Sequence, residues 1–508
     1  MSPAGPVVLG VDIGTSSVKV IGCDAAGSAV GGADRDYPLD NPRPGYAVQD
    51  PAVILAAVVE AIAECVAGLD RPVAGLSFSA GMHSLIGLDG AGAPLTPSVT
   101  WADQRATAQA ERLRAGAAAA GLHGRTGTPV HPMSPLSKLC WYAEAEPDTF
   151  AAVRTWVGIK EYVLARLTGE LVSDLSMASA TGLFDVHRRD WDAEALAIAG
   201  VRRDQLPPVV GTRQVLPGLR ADVADRTGLD RRTPVVVGAG DGPLANLGVG
   251  ALPAGLSAVS LGTSGALRVT LPAPRVDEGL FCYALDEDRW VVGGAINNGG
   301  IVVRWSEDVF GADRVPGSDR SALDEWMLDL AGSVPAGCDG LLMLPYLLGE
   351  RAPRWDPLPR GAYLGVRRGH DRAHFVRAAI EGVCLQLSLV EAAVEHAGHP
   401  IGAVRATGGA FRAQLWSDIL AATLDREIAL TAGPEGSSFG AALLGLTALG
   451  QIESLDAAAA LVPVARSTRP RAADVARYAL LRPIFAAATE ALLPTFAALR
   501  GVTGGAHG

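Results

Sequence analysis

A single carboxylate stands between two glycines where the apolar run Val235-Val236-Val237-Gly238-Ala239 ends, in Gly240-Asp241-Gly242. Three β-branched residues in succession predict a buried strand, because they fill a pleat that is covered on both faces. Ligands of open α/β sheets bind at the carboxyl ends of the strands, so Asp241 is placed to take a proton from a bound group. The flanking glycines predict a sharp turn and close approach of a ligand. A competing structural reading makes Asp241 the cap of a helix that begins near Pro243, and these residues alone do not separate the two.

A second pattern can grip anions. Val7 to Asp24 reads as two strands around Asp12-Ile13-Gly14-Thr15-Ser16-Ser17, and Leu256 to Val269 repeats strand, turn and strand around Gly262-Thr263-Ser264. Backbone N–H groups and hydroxyls in such turns can point at phosphate oxygens. Asp12, at the end of its strand, can hold a magnesium ion through water. Either hairpin alone is a common motif. Their separation, near half the chain, predicts two related domains rather than a short-period solenoid.

A third group suits a polyol. Val73 to Ser84 reads as a strand entering a polar loop that carries Ser79, Met82 and His83, and Trp101, Asp103 and Arg105 fall within five residues. An aromatic face with a few hydrogen-bonding side chains is a usual way to hold a small polar ligand. The plainer alternatives are a satisfied core histidine at 83 and a packing residue at 101.

The elements that must position these groups follow from length and composition. A chain of 508 residues is too long for one core and predicts two domains, bounded here as 1–249 and 250–495 with a flexible tail over 496–508. Hydrophobic residues make up 49% and charged residues 19%, the balance of a compact protein rather than a disordered one. No window of roughly 18 uncharged apolar residues suggests a membrane span, and the first residues lack the pattern of a signal peptide. The six cysteines are far apart, which predicts reduced, buried thiols and a cytoplasmic setting. A net charge of −11 argues against nucleic acid as a partner, so anionic ligands need a local cationic site. Only Lys19, Lys138 and Lys160 are lysines among 43 basic residues, and Lys19 and Lys138 are expected as structural ion-pair partners. Pro51 to Leu69 predicts an amphipathic helix, and the alanine-rich stretches near Ala115 and Ala457 predict helices without chemistry.

Two longer stretches give a resemblance. Met133-Ser134-Pro135-Leu136-Ser137-Lys138-Leu139-Cys140-Trp141 resembles the first signature of the FGGY carbohydrate kinase family, with Tyr142 a slight departure. Gly361 to Val366, His374-Phe375 and Ala378-Ala379-Ile380-Glu381 resemble its second signature. With both hairpins and Asp241, the likeness runs from about Val7 to about Leu446. It implies an α/β fold of two actin-like (ribonuclease H-like) domains with a cleft between them. It implies ATP and Mg2+, with Asp241 as general base and Asp12 at the metal. Gly14, Thr15, Ser16, Gly262, Thr263 and Ser264 would cradle phosphates, and Gly408, Gly409 and Ala410 would face the adenosine. Pro434 to Gly445 reads as a loop entering a helix whose small residues Gly440, Ala441 and Ala442 permit close packing. A homodimer is the family expectation.

Ser77 to Ile86, Val99 to Arg105 and Thr126 to Pro135 resemble the gluconate-phosphorylating branch of that family. The implied reaction moves the γ-phosphoryl of ATP to the 6-hydroxyl of D-gluconate, giving 6-phospho-D-gluconate. Arg105 would bind the sugar-acid carboxylate bidentately, His83 or His131 would add a donor, and Asn297 and Asn298 would add amides. Xylulose, ribulose and glycerol kinases of the same family are the rival substrates. An actin-like, ATP-driven binding protein or a sugar-sensing regulator is the rival outside enzymes, and neither a peptide-binding domain nor a basic DNA-binding segment is evident.

Overall fold

The computed structural model describes residues 5–116, 119–311, 320–432 and 436–503; Pro434 and Glu435 of the expected loop lie outside them. Two mixed sheets organise the chain. The first has six strands: β1 (Val7–Ile13), β2 (Ser17–Cys23), β3 (Ala29–Asp36), β4 (Val73–Ala80), β5 (Val215–Leu216) and β6 (Val235–Gly240), in spatial order β5-β6-β4-β1-β2-β3. The hairpin β1–β2–β3 is antiparallel, and β4 and β6 add to it in parallel. The apolar runs explain this placement, since β6 and nearly all of β1 are buried, as strands covered on both faces must be.

The second sheet repeats the plan. Its strands are β7 (Leu256–Leu261), β8 (Gly265–Leu271), β9 (Phe281–Ala284), β10 (Trp290–Ile296), β11 (Ala403–Thr407), β12 (Ile428–Thr431) and β13 (Val464–Thr468). They lie in the order β9-β10-β8-β7-β11-β12-β13. Here β7, β8 and β10 are antiparallel, while β7, β11 and β12 are parallel, so β7 answers to β1 and β11 to β4. The expected repeat of the hairpin is therefore a repeat of a whole sheet.

The helices that matter for the site are α1 (Pro51–Ala67), α2 (Pro135–Ala145), α3 (Ile159–Thr168), α4 (Leu175–Ser179), α5 (Asp241–Gly248), α6 (Arg372–His396), α7 (Ser437–Ala448) and α8 (Ala472–Thr503). Small residues let α7 lie against both β1 and α5. A Cβ on Gly440 would stand 2.0 Å from the Leu244 carbonyl oxygen, and one on Gly10 would stand 2.0 Å from that of Ser438. One added methyl would push these elements apart. Two of the 508 residues' longest helices, α6 and α8, are long and apolar enough by composition to cross a bilayer; α6 is enclosed in the core.

Two expectations are corrected. The segment from 496 is not a tail at its start, because α8 continues to Thr503 and Phe496 is buried with Phe485 and Tyr346. Burial of that ring holds the last turns in place. The lysine that forms a buried ion pair is Lys160, whose Nζ lies 2.7 Å from Asp174 Oδ2 with both side chains fully enclosed. The six thiols are unpaired and five are buried, and burial pushes Cys23 up to about 12, so that thiol stays protonated.

Candidate active site

A cavity of about 270 Å³ lies between the two halves, lined among others by Thr15, Met82, His83, Trp101 and Asp241 from the first and Arg268 from the second. Asp241 is the first residue of α5, and Gly240, not Asp241, occupies the cap position. Neither flanking glycine is left-handed. Gly240 is extended (φ −72°), and a Cβ there would come within 2.9 Å of Met82. The glycine clears space for Met82 and does not make a sharp turn. Asp241 Oδ1 accepts the Gly242 N–H at 2.7 Å. Burial, then the neighbouring Asp12, pushes Asp241 up to about 6 against the pull of Arg268. A carboxylate so tuned is ionised at neutral pH yet basic enough to accept a proton.

The short helix α4 braces this arrangement. Its Asp174 cap accepts the N–H groups of Ser176 and Met177 at 3.0 and 3.1 Å. Ser176 Oγ then accepts the Gly240 N–H at 3.0 Å, and Ser179 Oγ accepts the Ala284 N–H at 3.0 Å, beside Tyr283. The carbonyl of Ala180 lies 2.8 Å from His83 Nδ1. One buried turn thus bonds to the strand before Asp241, the strand of Tyr283 and the ring of His83.

That last bond fixes a tautomer. A carbonyl only accepts, so His83 Nδ1 carries the proton. Burial, then Lys138, pulls His83 down to about 3, so the ring is neutral and its Nε2 is an acceptor. His131 is the reverse: its Nδ1 accepts the Met133 N–H at 3.2 Å, and burial with the nearby Arg351 keeps it neutral, so Nε2 carries the proton. His83, expected as a donor to a carboxylate, is suited instead to a hydroxyl.

Arg105 and Asp103 are not cavity residues. Arg105 Nε and Nη2 donate to the two oxygens of Asp103, each at 2.8 Å, and both side chains are buried. Asp103 also accepts the N–H groups of Ala47 and Arg105. The guanidinium lies 4.0 Å from the Tyr46 ring centre and 4.9 Å from that of Trp141. The Nε/Nη2 edge that would grip a substrate carboxylate bidentately is already taken by Asp103. Lys138, on α2, likewise forms no ion pair within 4 Å among the described residues. Its Nζ donates to the carbonyls of His83, Val99 and Thr100 at 2.6, 3.2 and 2.8 Å, and burial draws it down to about 7.

The remaining expected polyol residues divide. Trp101 lines the cavity, and its Nε1 donates to Thr15 Oγ1 at 2.8 Å. Ser79 sits on β4 opposite Asp12 in register, away from the cavity wall. His131 stands behind the wall, its ring 5.8 Å from that of Trp355. Asn298 is buried and clamps a loop: its Nδ2 donates to the Gly349 carbonyl at 2.6 Å, and its Oδ1 accepts the Leu348 N–H at 3.1 Å. Asn297 N–H donates to Glu350 Oε1 at 2.6 Å and its Nδ2 to the Leu348 carbonyl at 3.2 Å. These amides set the loop that carries Arg351. The residues unforeseen from sequence are Met133, Arg268, Tyr283, Arg351 and Trp355. Arg268 left one signal, a lone charge inside the apolar strand β8.

The anion-gripping residues also divide. A larger groove of about 840 Å³ is lined by Gly262, Thr263, Gly409 and Ala410, together with residues 300–307 and 324–332 in part. Gly408 lies beneath it at φ 115°, where a Cβ would meet the Leu261 carbonyl oxygen at 2.3 Å. Thr15 and Ser264 face the smaller cavity. Gly14 accepts the Tyr37 hydroxyl at 2.6 Å, and Ser16 is exposed at the hairpin tip. Asp12 Oδ2 accepts from Ser437 Oγ at 2.6 Å, while its Oδ1 and Ser79 Oγ are buried with no hydrogen-bond partner. Burial raises Asp12, and the nearby hydroxyls of Ser437 and Ser79, then Lys19, pull it back.

Comparison with known proteins agrees with this geometry. Residues 7–248 match the N-terminal domain of the FGGY family of carbohydrate kinases, and 257–449 match its C-terminal domain. A gluconokinase of Bacillus subtilis (strain 168) is 39% identical over 94% of each chain. The crystal structure of gluconate kinase from Lactobacillus acidophilus superposes with TM-score 0.92 at 32% identity, over 97% of this chain and 99% of that one. A ligand-bound xylulose kinase from the same organism gives 0.92 at 33% identity, over 97% and 100%.

Proposed function

Because the chain belongs to the FGGY family of carbohydrate kinases, we propose that it transfers the γ-phosphoryl group of ATP to the 6-hydroxyl of D-gluconate. One observation carries the reaction type: a half-buried carboxylate, Asp241, raised to about 6, in a cavity shared by both halves and bordered by both glycine hairpins. The choice of gluconate rests on the 39% identity to the gluconokinase over 94% of both chains.

Phosphoryl transfer asks the protein for position, charge stabilisation and a base for the hydroxyl proton. Asp241 takes that proton at a carboxylate oxygen. His83 Nε2 accepts from another substrate hydroxyl, Trp101 and Met82 wall the carbon chain, and Arg268 faces the charge that develops beside Asp241. Gly262, Thr263, Gly409 and Ala410 offer backbone to the nucleotide. Approach of the two halves over the substrates would exclude water as a competing acceptor.

Mg2+ fits Asp12. A carboxylate with one buried, unpartnered oxygen beside a second carboxylate is a cation's environment. The described residues hold no cluster of three or more ligating side chains, which suits an ion that takes most of its ligands from substrate phosphates and water. When bound, the ion neutralises phosphate charge. A cytoplasmic location is consistent with the unpaired, buried thiols.

The test is ADP release with ATP and Mg2+ over D-gluconate, D-xylulose, L-ribulose, glycerol and no sugar. Turnover with D-gluconate far above the others is expected. Turnover with D-xylulose instead would establish the second reading, which the equally close xylulose kinase structure supports.

A further inference from the structure

Two guanidinium groups stand in the wall of the smaller cavity, Arg351 buried and Arg268 half-buried, and neither has a carboxylate within 4 Å among the described residues. Arg268 donates only to Ser260 Oγ, at 3.1 Å. Arg351 donates through Nη2 to the Ile296 carbonyl at 3.0 Å, and its Nε is buried with no partner. Its guanidinium carbon lies 5.1 Å from the centre of the Trp101 ring. Tyr283 lines the same wall, and its hydroxyl is buried with Thr128 as its hydrogen-bonding neighbour and no bond of good geometry. A buried, unpaired cation is costly, and an unsatisfied buried donor adds to that cost. A cavity that keeps both in a chain of net charge −11 is built for anionic groups.

The two cations serve different places. A Cβ on Gly242, next to Asp241, would stand 3.7 Å from Arg268 Nε, so Arg268 belongs to the reacting end. Arg351 lies over Trp101 and bonds the Ile296 carbonyl, so it belongs to another part of the wall. Glu350 does not neutralise it through an ion pair. Its Oε1 is occupied by the N–H groups of Asn297 and Arg351, at 2.6 and 2.8 Å, and its Oε2 by Asn298 at 3.2 Å. His83 and His131 are both neutral. Hence the positive charge of Arg351 is offered to the cavity.

We propose that Arg351 and Tyr283 together form the seat for the substrate's carboxylate, so that the acid end docks at Arg351 while the opposite terminal hydroxyl meets Asp241. The planar guanidinium, through its free Nε–H, and the phenol O–H converge on one anionic group, and the indole of Trp101 backs the guanidinium. This rests on the reading of the cavity as a gluconate site. It replaces Arg105, whose Nε/Nη2 edge is held by Asp103, and gives each end of the phosphorylated acid its own cation.

The test uses the full chain with ATP and Mg2+, comparing D-gluconate with D-glucitol, its neutral analogue, in wild type, Arg351→Met and Tyr283→Phe. Wild type should prefer gluconate. Arg351→Met should raise KM for gluconate roughly 30-fold or more while leaving KM for D-glucitol within a few-fold. Tyr283→Phe should raise KM for gluconate by about 5- to 10-fold, and as a near-isosteric change it also keeps the proposal testable if Arg351→Met does not fold. Wild-type turnover of gluconate with KM unmoved in folded variants, or moved equally for both substrates, would overturn the carboxylate seat alone. A wild type that ignores gluconate would overturn the substrate reading and this inference with it.

Discussion

The two hollows of the molecule recognise by opposite means. The cavity proposed for the acceptor is small, about 270 Å³, and its wall carries half-buried and buried ionisable side chains from both halves of the chain. The groove proposed for the nucleotide holds about 840 Å³, and its predicted residues Gly262 and Thr263 are exposed backbone at a hairpin tip. In the first, burial does the tuning. It lifts Asp241 to about 6, lowers His83 to about 3 and draws Arg268 down to about 10. In the second, the main chain at Gly262, Thr263 and Gly409 lies open beside charged side chains such as Arg304, Asp324 and Arg412. The cavity therefore suits proton transfer and selection, and the groove suits grip.

Substitutions can break this contrast, and the largest effect belongs to Asp241. Asp241→Asn keeps shape and removes the proposed base, so kcat should fall by ~10²–10⁴ with KM for ATP little changed. A comparable rise in the KM for ATP would mean that the residue belongs to the nucleotide side. Next is Arg105→Ala, which leaves Asp103 buried without its cation and should cost about 3–5 kcal/mol of stability. Thermal unfolding would reveal it; a gluconate-selective KM effect in a stably folded variant would restore Arg105 as a ligand.

Asp241→Asn also has a signed effect on stability. The folded-state value, raised from 3.8 to about 6, means that the neutral form is favoured on folding. That contribution is complete below pH 3.8 and is lost as pH rises through 6. The asparagine variant should thus unfold at higher temperature than wild type at pH 8, by about 2–3 kcal/mol, and show no such gain at pH 4. Wild-type kcat/KM should decline about tenfold per unit below pH 6 as the base protonates.

Gly408→Ala probes the groove. Strain at φ 115° and the contact with Leu261 should cost about 1–3 kcal/mol and raise KM for ATP, leaving that for the sugar acid unchanged. Smallest is Ser176→Ala, which frees the Gly240 N–H beside the base. A loss of about 1–2 kcal/mol should appear mainly in kcat, and an unchanged kcat would show that α4 does not hold Asp241 in place.

The contrast also explains what could be read without coordinates. The strands flanking each hairpin, the strand before Asp241 and the helix after it were legible, because each pattern is completed within a few neighbouring residues. The close packing of α7 was legible for the same reason, through Gly440, Ala441 and Ala442. Asp241 and Gly409 therefore came from local spacing and from resemblance. Arg105 misled because its type and its neighbours suit a carboxylate, yet the carboxylate two residues away holds its bidentate edge. Arg351 was missed because its importance lies in having no such partner, a fact that no local window contains.

The amino-acid sequence by itself determined the two related halves, the paired hairpins and the carboxylate at the end of β6, since hydrophobic period and glycine spacing are properties of short segments. Only the tertiary structure decided which charges are satisfied internally and which are left for a ligand. Satisfaction depends on distances of a few ångströms between groups tens to hundreds of residues apart, and on burial, which sets what an unpaired charge costs.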